Sequence, residues 1–298
     1  MDMILDVILD AVIDSLKILP FLFITYLIME FLEHKTAEFT SSVVEKTEHF
    51  GPLWGGLIGI FPQCGFSAAA SNLYAGRVIT LGTLIAIFLS TSDEMVPLFI
   101  SEHVPAATLV KILAIKAVIG IIAGFVIDIV VHAYHKAKNR SANDPVRIDS
   151  LCEKEHCHCD DEENTGVLGI IKSALVHTIH IFLFVLVLTL ILGFIIELIG
   201  KDKLALLLKT SPVISHILAG LVGLIPNCAP SVIITELYLD GMITIGTMMS
   251  GLLVGAGIGL LVLFRVNEDK KENINIALLL FVIGTITGLL LDSFHIVI

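Results

Sequence analysis

The chain has 298 residues, of which 56% are hydrophobic and only 16% charged, whereas a soluble domain carries about a quarter charged residues. This composition excludes an ordinary soluble protein, and the apolar runs are long enough to cross a hydrocarbon core of about 30 Å. The net charge is −11, and the acids cluster in the first helix, the loop after it and the central loop, so nucleic acid is not expected as a partner. The sequence therefore predicts an all-α polytopic membrane protein that lies in the lipid bilayer.

The apolar segments divide the chain into two halves joined by a polar loop. The first half, 1–135, is predicted to form five helical segments, at about 5–33, 52–61, 66–76, 79–100 and 107–134. A polar loop at 136–165 follows. The second half, 166–298, is predicted to form five more, at about 168–198, 216–225, 230–239, 243–264 and 274–294. In each half the two short segments flank a proline, so the pair either crosses the membrane or returns to its own side.

The two halves are copies of each other. When Pro62 is aligned with Pro226, 12 identical pairs fall in a window of 28 residues, which is too many for shared apolar composition alone. The same offset aligns the two G-x-x-x-G-x-x-x-D stretches that end at Asp128 and Asp292, a pattern typical of close helix packing. Each half has an odd number of crossings on either count, so we expect two inverted repeats, as in many secondary transporters.

Lysine and arginine set the predicted orientation. Most of them fall on the side of the central loop, whereas the opposite side collects mainly Lys201, Lys203 and Lys209. Because positive residues are retained in the cytoplasm, the central loop is predicted to be cytoplasmic. The predicted location is the cell (inner) membrane, with both termini on its outer side.

The proline-cysteine segments are the first candidate site. Proline has no N–H, so Pro62 and Pro226 are expected to break their helices and leave the carbonyls of Ile58 and Val222 without donors. Such breaks survive in a membrane only where protein or a water-filled site covers them. The predicted metal ligands are two half-sites that face each other near the midplane, Gln63 with Cys64 and Asn227 with Cys228.

Further polar residues beside the two prolines complete the predicted site. Ser67 and Ser231 are predicted to be N-caps of the half-helices that follow the breaks. The alternative is a pair of proline kinks with cysteines that merely pack, which is less compatible with two matching copies. The residues predicted to line the substrate path are Pro62, Ser67, Asn72, Pro226, Ser231 and Glu236.

Two carboxylates interrupt the next apolar run. Asp93 and Glu94 lie between Ser92 and Met95, where a charge at the bilayer centre costs at least about 2.5–3.5 kcal/mol. We expect them to compensate the charge of a bound metal or to carry a coupling proton. Solvation near the outer interface is the alternative. The aligned stretch of the second half contains glycines in place of acids.

Two histidines and a metal-binding loop are further candidates. His177 and His180 share a helix face, which suits a metal or proton relay, although buried histidines that only pack are as common. The central loop interleaves thiols and imidazoles ahead of four acids and predicts a flexible metal-capture site, whose candidate ligands are Cys152, His156, Cys157, His158 and Cys159. Sensing or buffering of the metal is an alternative role.

The chain resembles a family of bacterial and archaeal ten-helix heavy-metal exporters, also described as manganese transporters or arsenic-efflux-like permeases. The resemblance rests on the duplicated P-x-C segment, the I-T-x-G-T that follows each copy and the Cys/His-rich loop. Its most specific parts are Pro62-Gln63-Cys64-Gly65 and Pro226-Asn227-Cys228-Ala229-Pro230. It implies ten membrane segments and metal efflux, with manganese as the substrate usually suggested.

These observations predict a secondary transporter that exports a divalent transition metal, manganese or similar, in exchange for protons. No nucleotide-binding motif is evident, and no cofactor is expected besides the transported ion. A homodimer is left open. One alternative is a permease for arsenite or an organoarsenical. The other, ranked last, is a membrane redox enzyme that uses Cys64 and Cys228 as a thiol pair.

Overall fold

The computed structural model describes residues 2–33, 50–61, 64–92, 95–137, 167–199 and 212–294. Every regular element in these ranges is an α-helix, which confirms the predicted all-α fold. The first half forms helices α1 (Asp2–Glu33), α2 (50–59), α3 (Cys64–Ala75), α4 (Leu81–Ser90), α5 (Met95–Ser101) and α6 (Ala106–Ala137). The second half forms α7 (Val167–Ile199), α8 (Pro212–Gly223), α9 (Ala229–Leu239), α10 (Ile245–Val254), α11 (Ile258–Val266) and α12 (Lys270–Ser293).

Six segments of the described chain are long and apolar enough to cross a membrane: Ala11–Ile28, Leu81–Ser101, Ala106–Tyr134, Ala174–Ile195, Ile245–Val266 and Lys270–Ser293. Two of them, α4–α5 and α10–α11, are 75% and 83% buried, whereas the other four are only 22–33% buried. The two former segments therefore form the centre of the protein. The other four surround it and present apolar side chains outward, as lipid-facing helices do.

The centre of each half is fixed by the same polar contact. The Asp128 carboxylate accepts hydrogen bonds from the Gly82 amide and the Thr80 hydroxyl, each at 2.8 Å. In the second half, the Asp292 carboxylate accepts from the Gly246 amide at 2.8 Å and from the Thr244 hydroxyl. Each aspartate thus satisfies a first-turn amide that the helix itself leaves unpaired. The predicted close packing is present, and each aspartate caps a neighbouring helix. Asp292 also lies in the last turn of its own helix, whereas Asp128 lies within α6.

Removing one of these carboxylates should destabilise its half of the protein. We expect Asp128→Ala to lower the free energy of unfolding by about 1–3 kcal/mol, because it leaves a buried amide and a hydroxyl without an acceptor. Thermal melting of the purified protein in detergent measures the loss. Asp128→Asn, which keeps an acceptor for the Gly82 amide, is the matched control and should cost less. Equal melting temperatures for both variants and the wild type would contradict this role.

The central segments are not the continuous helices that the sequence predicts at 79–100 and 243–264. In the first half, α4 ends at Ser90 and α5 begins at Met95; in the second, α10 ends at Val254 and α11 begins at Ile258. The Thr91 hydroxyl donates to the Ile87 carbonyl at 2.7 Å, a local bond that competes with helix continuation. Gly257 has φ +53°, a left-handed conformation that favours glycine.

The two halves are interleaved. Helix α3 of the first half packs on α11 of the second, where the Ser71 hydroxyl donates to the Gly259 carbonyl at 2.6 Å. Helix α9 of the second half contacts α5 of the first. An ion pair also crosses between the halves, since the Arg77 guanidinium donates to both carboxylate oxygens of Glu272 at 2.8 and 2.9 Å. Any site between the central breaks therefore has walls from both halves. The inverted orientation of the halves stays a prediction.

Candidate cation site

Three helix breaks surround one small cavity between the halves. Its volume is about 10 Å³, roughly the space that holds a single water molecule. The α4–α5 break, the α10–α11 break and the start of α9 each contribute part of the wall, and α6 contributes one lysine. The lining residues are Thr91, Ser92, Met95, Lys116, Cys228, Ser231, Leu252, Gly255 and Gly257.

The break at Pro226 was predicted, but its details differ from the prediction. Helix α8 ends at Gly223, and the next residues form a tight turn in which the Ile225 amide donates to the Val222 carbonyl at 3.1 Å. The Val222 carbonyl is therefore not left without a donor. In the first half, the Phe61 amide likewise donates to the Ile58 carbonyl at 3.1 Å. Each of these two carbonyls thus already accepts one hydrogen bond, contrary to the prediction.

The half-helix after Pro226 begins earlier than expected. Helix α9 starts at Ala229, with Cys228 at the N-cap, and the side-chain oxygen of Asn227 accepts from the Ala229 amide at 3.1 Å. Pro230 lies in the first turn, where a missing N–H costs nothing. The prediction that Ser231 is the N-cap is therefore wrong, and so is the matching prediction for Ser67, because α3 begins at Cys64.

Cys228 brings a thiol to the cavity wall. The residue is 7% exposed, and it lies at the N-terminus of α9. The partial positive charge of a helix N-terminus favours an anionic group beside it. A thiolate is a ligand for borderline and soft metals. Ser231 places a hydroxyl on the same wall.

Lys116 is the charged group among the described residues of this wall. The side chain is fully buried. Its ammonium donates to the Thr91 carbonyl and, at 2.9 Å, to the Leu252 carbonyl. One carbonyl follows the end of α4 and the other lies in the last turn of α10. Both ends carry the partial negative charge of a helix C-terminus, so this corner of the cavity holds a cationic group, the Lys116 ammonium.

The comparison with known families identifies the chain. The sequence profile of the family described as "Putative, 10TM heavy-metal exporter" matches residues 1–200 and residues 146–258. The chain belongs to this family. No curated protein and no solved structure matches it significantly. Membership in the heavy-metal exporter family and the apolar helices together make the protein a multi-pass membrane transporter for metals.

Some residues predicted to line the path of this exporter lie elsewhere. Asn72 is fully buried, where it accepts from the Tyr26 hydroxyl at 2.9 Å and donates to the Ala68 carbonyl at 3.3 Å, so it ties α3 to α1. Ser67 is buried against Gly259. Glu236 is half-buried on α9 and is not part of this cavity wall.

The two histidines of α7 do not share an environment. His177 is buried, and its ring stacks on Tyr26 with the centroids 5.1 Å apart, whereas His180 is exposed. In the described ranges, no three side chains of His, Cys, Asp or Glu gather closely enough to hold a metal.

Several residues predicted to bind the metal or to line its path lie outside the described residues and stay predictions. They are Pro62, Gln63, the side chain of Cys64, Asp93, Glu94 and the loop residues Cys152, His156, Cys157, His158 and Cys159. Residues 93 and 94 follow directly after Ser92, which lines the cavity.

Proposed function

We propose that this exporter moves a divalent transition-metal ion out of the cytoplasm as a secondary transporter and that the cavity between the halves is its binding site. The observation that carries the proposal is the junction of three helix breaks around one small polar cavity with a thiol in its wall. Helix breaks of this kind supply ion ligands at the centre of many transporters, because broken ends expose carbonyls and dipoles. The thiol favours a borderline metal over a purely hard one.

The proposed coordination combines residues from both halves. Cys228 and Asn227 supply the second half-site; the Asn227 oxygen has a second lone pair beyond the one that accepts from Ala229. Gln63 and Cys64 supply the first half-site. Asp93 and Glu94 balance the charge of the ion or carry the proton that moves in exchange, and the Cys/His-rich loop collects the metal on the cytoplasmic side.

A permease for trivalent arsenic is the second candidate. The observation that favours it is the chemistry of the cavity wall, whose described residues include a thiol and a lysine but no carboxylate. Arsenic(III) bonds thiols, and a neutral species needs no acidic partner. In this case Asp93 and Glu94 would be dispensable.

Transport into inside-out vesicles tests the proposed function. Vesicles that contain the protein should accumulate Mn, Fe, Zn, Co or Cd when a proton gradient is imposed, and protein-free vesicles should not. Uptake confined to arsenite or organoarsenicals would overturn metal export in favour of the second candidate. Growth tests separate the two again: Asp93→Asn should abolish metal resistance and spare arsenic resistance.

A further inference from the structure

We propose that Lys116 is a tethered counter-cation, which occupies the cation position of the empty site and is displaced by the arriving metal ion. This inference rests on the proposed function, because it concerns how the same cavity empties and refills. In the transport cycle, Lys116 would hold the ends of α4 and α10 while no metal is bound. None of the predicted ligands has this role.

The contacts of the ammonium carry the inference. Lys116 extends from α6 in the first half and reaches the Thr91 carbonyl of its own half and the Leu252 carbonyl of the other half. The last carbonyls of a helix have no donor within that helix, and in a membrane each would be costly to leave unpaired. The ammonium thus does what a bound cation would do for the ends of α4 and α10.

The same two helix ends form the wall of the cavity that would receive the metal. Thr91 and Leu252 line this cavity together with Cys228 and Ser231. A metal ion in this space would lie beside the ammonium, and like charges at such separations repel strongly where little water screens them. Lysine has a flexible four-carbon stem, so the ammonium can move aside. The ion and the ammonium therefore exclude each other.

The second half of the duplicated fold has an apolar residue at the place of this lysine. The position that corresponds to Lys116 in the second half is Leu280, which is also fully buried. An apolar side chain therefore suffices for packing at that place. A single lysine gives the site one built-in positive charge.

This charge has a consequence for the transport cycle. Without it, the metal-free carrier would expose two negative helix ends in the membrane interior, and reorientation of the empty carrier would be slow. With Lys116 in place, the ends of α4 and α10 stay paired in the metal-free carrier, and the carrier can return. Lys116 should therefore be required for net transport, but not for exchange of one metal ion against another.

Reconstituted liposomes separate these two modes. Net uptake of radioactive Mn²⁺ or Cd²⁺ is measured into metal-free liposomes, and tracer exchange is measured into liposomes loaded with the same unlabelled ion. In Lys116→Gln we expect the ratio of net uptake to exchange to fall at least tenfold relative to wild type, and we expect tighter metal binding. Lys116→Arg keeps the competing charge, so its net uptake should persist and its metal affinity should stay close to that of wild type. Lys111→Gln, an exposed lysine on the same helix, should match wild type.

A purely structural lysine would give a different pattern, with exchange and net uptake reduced together and affinity weakened in both variants. That pattern, or an unchanged ratio of net uptake to exchange in Lys116→Gln, would overturn the inference. If Lys116→Gln does not fold, Lys116→Leu replaces it, since leucine occupies the corresponding buried place in the second half. Absence of both modes in the wild type for every cation would instead contradict the proposed function.

Discussion

Replacement of Cys228 with serine is expected to reduce transport of Cd²⁺ and Zn²⁺ at least tenfold. Removal of a group that only hydrogen-bonds to a metal ligand lowers metal affinity about 10–100-fold. Removal of a thiolate that binds the metal directly should lower the affinity at least as much. Serine is close to cysteine in size, and Cys228 makes its backbone contacts through the carbonyl that accepts from Ser231 and Val232. The fold should therefore survive. Initial rates of uptake into inside-out vesicles measure the effect.

The choice of metal separates a ligand from a packing residue. Because a hydroxyl suits harder ions, Cys228→Ser should lose Cd²⁺ transport more than Mn²⁺ transport. Met248→Leu is the control: it removes a fully buried sulfur that does not line the cavity, with little change in volume. Equal losses for Cd²⁺ and Mn²⁺, or equal losses in the two variants, would count against Cys228 as a ligand.

The second large effect is expected at Gly259, where the two halves meet. A methyl group there would lie 2.6 Å from the Ser67 Cβ and 2.8 Å from the Ser67 carbonyl carbon, closer than real carbon atoms approach. Relief requires α3 and α11 to separate, and overpacking of this kind costs about 1–3 kcal/mol. We expect Gly259→Ala to lower the melting temperature and to impair transport.

A glycine four residues earlier provides the control. A methyl group at Gly255 would have its nearest neighbours at 3.3–3.7 Å, at or near ordinary contact distance. Gly255→Ala should therefore shift the free energy of unfolding by no more than about 0.5 kcal/mol. If Gly259→Ala melts at the same temperature as Gly255→Ala, the close packing of α3 on α11 is not a source of stability.

The sequence predicted those features that depend on local chemistry. Long apolar runs have one stable form in a membrane, the helix, so α1, α6, α7 and α12 lie close to their predicted positions. Pro226 removes a backbone donor, and the break there followed from that fact. The predicted start of α9 is wrong, because the N-cap preference for serine favours Ser231. In the structure Cys228 is the N-cap, and the Asn227 side chain accepts from the Ala229 amide ahead of Pro230.

The sequence did not predict the breaks of the two central segments. The mean hydropathy of each whole span stays high, because strongly apolar residues flank both breaks, although Asp93 and Glu94 interrupt the first run. The Thr91 side chain, which bonds back to the Ile87 carbonyl, and the left-handed Gly257 are the features of the sequence that account for the breaks. The contacts of Lys116 lay beyond sequence reasoning, because they depend on where helices from different halves meet.

The central claim is that a metal ion binds at the junction of the helix breaks through the sulfur of Cys228. X-ray absorption at the zinc edge tests it on purified protein whose loop residues Cys152, Cys157 and Cys159 are changed to serine and His156 and His158 to alanine, so that the loop cannot contribute. The account predicts a sulfur ligand at about 2.3 Å that is lost or diminished in Cys228→Ser. A first shell of oxygen and nitrogen alone, or a sulfur signal unchanged by Cys228→Ser, would contradict it.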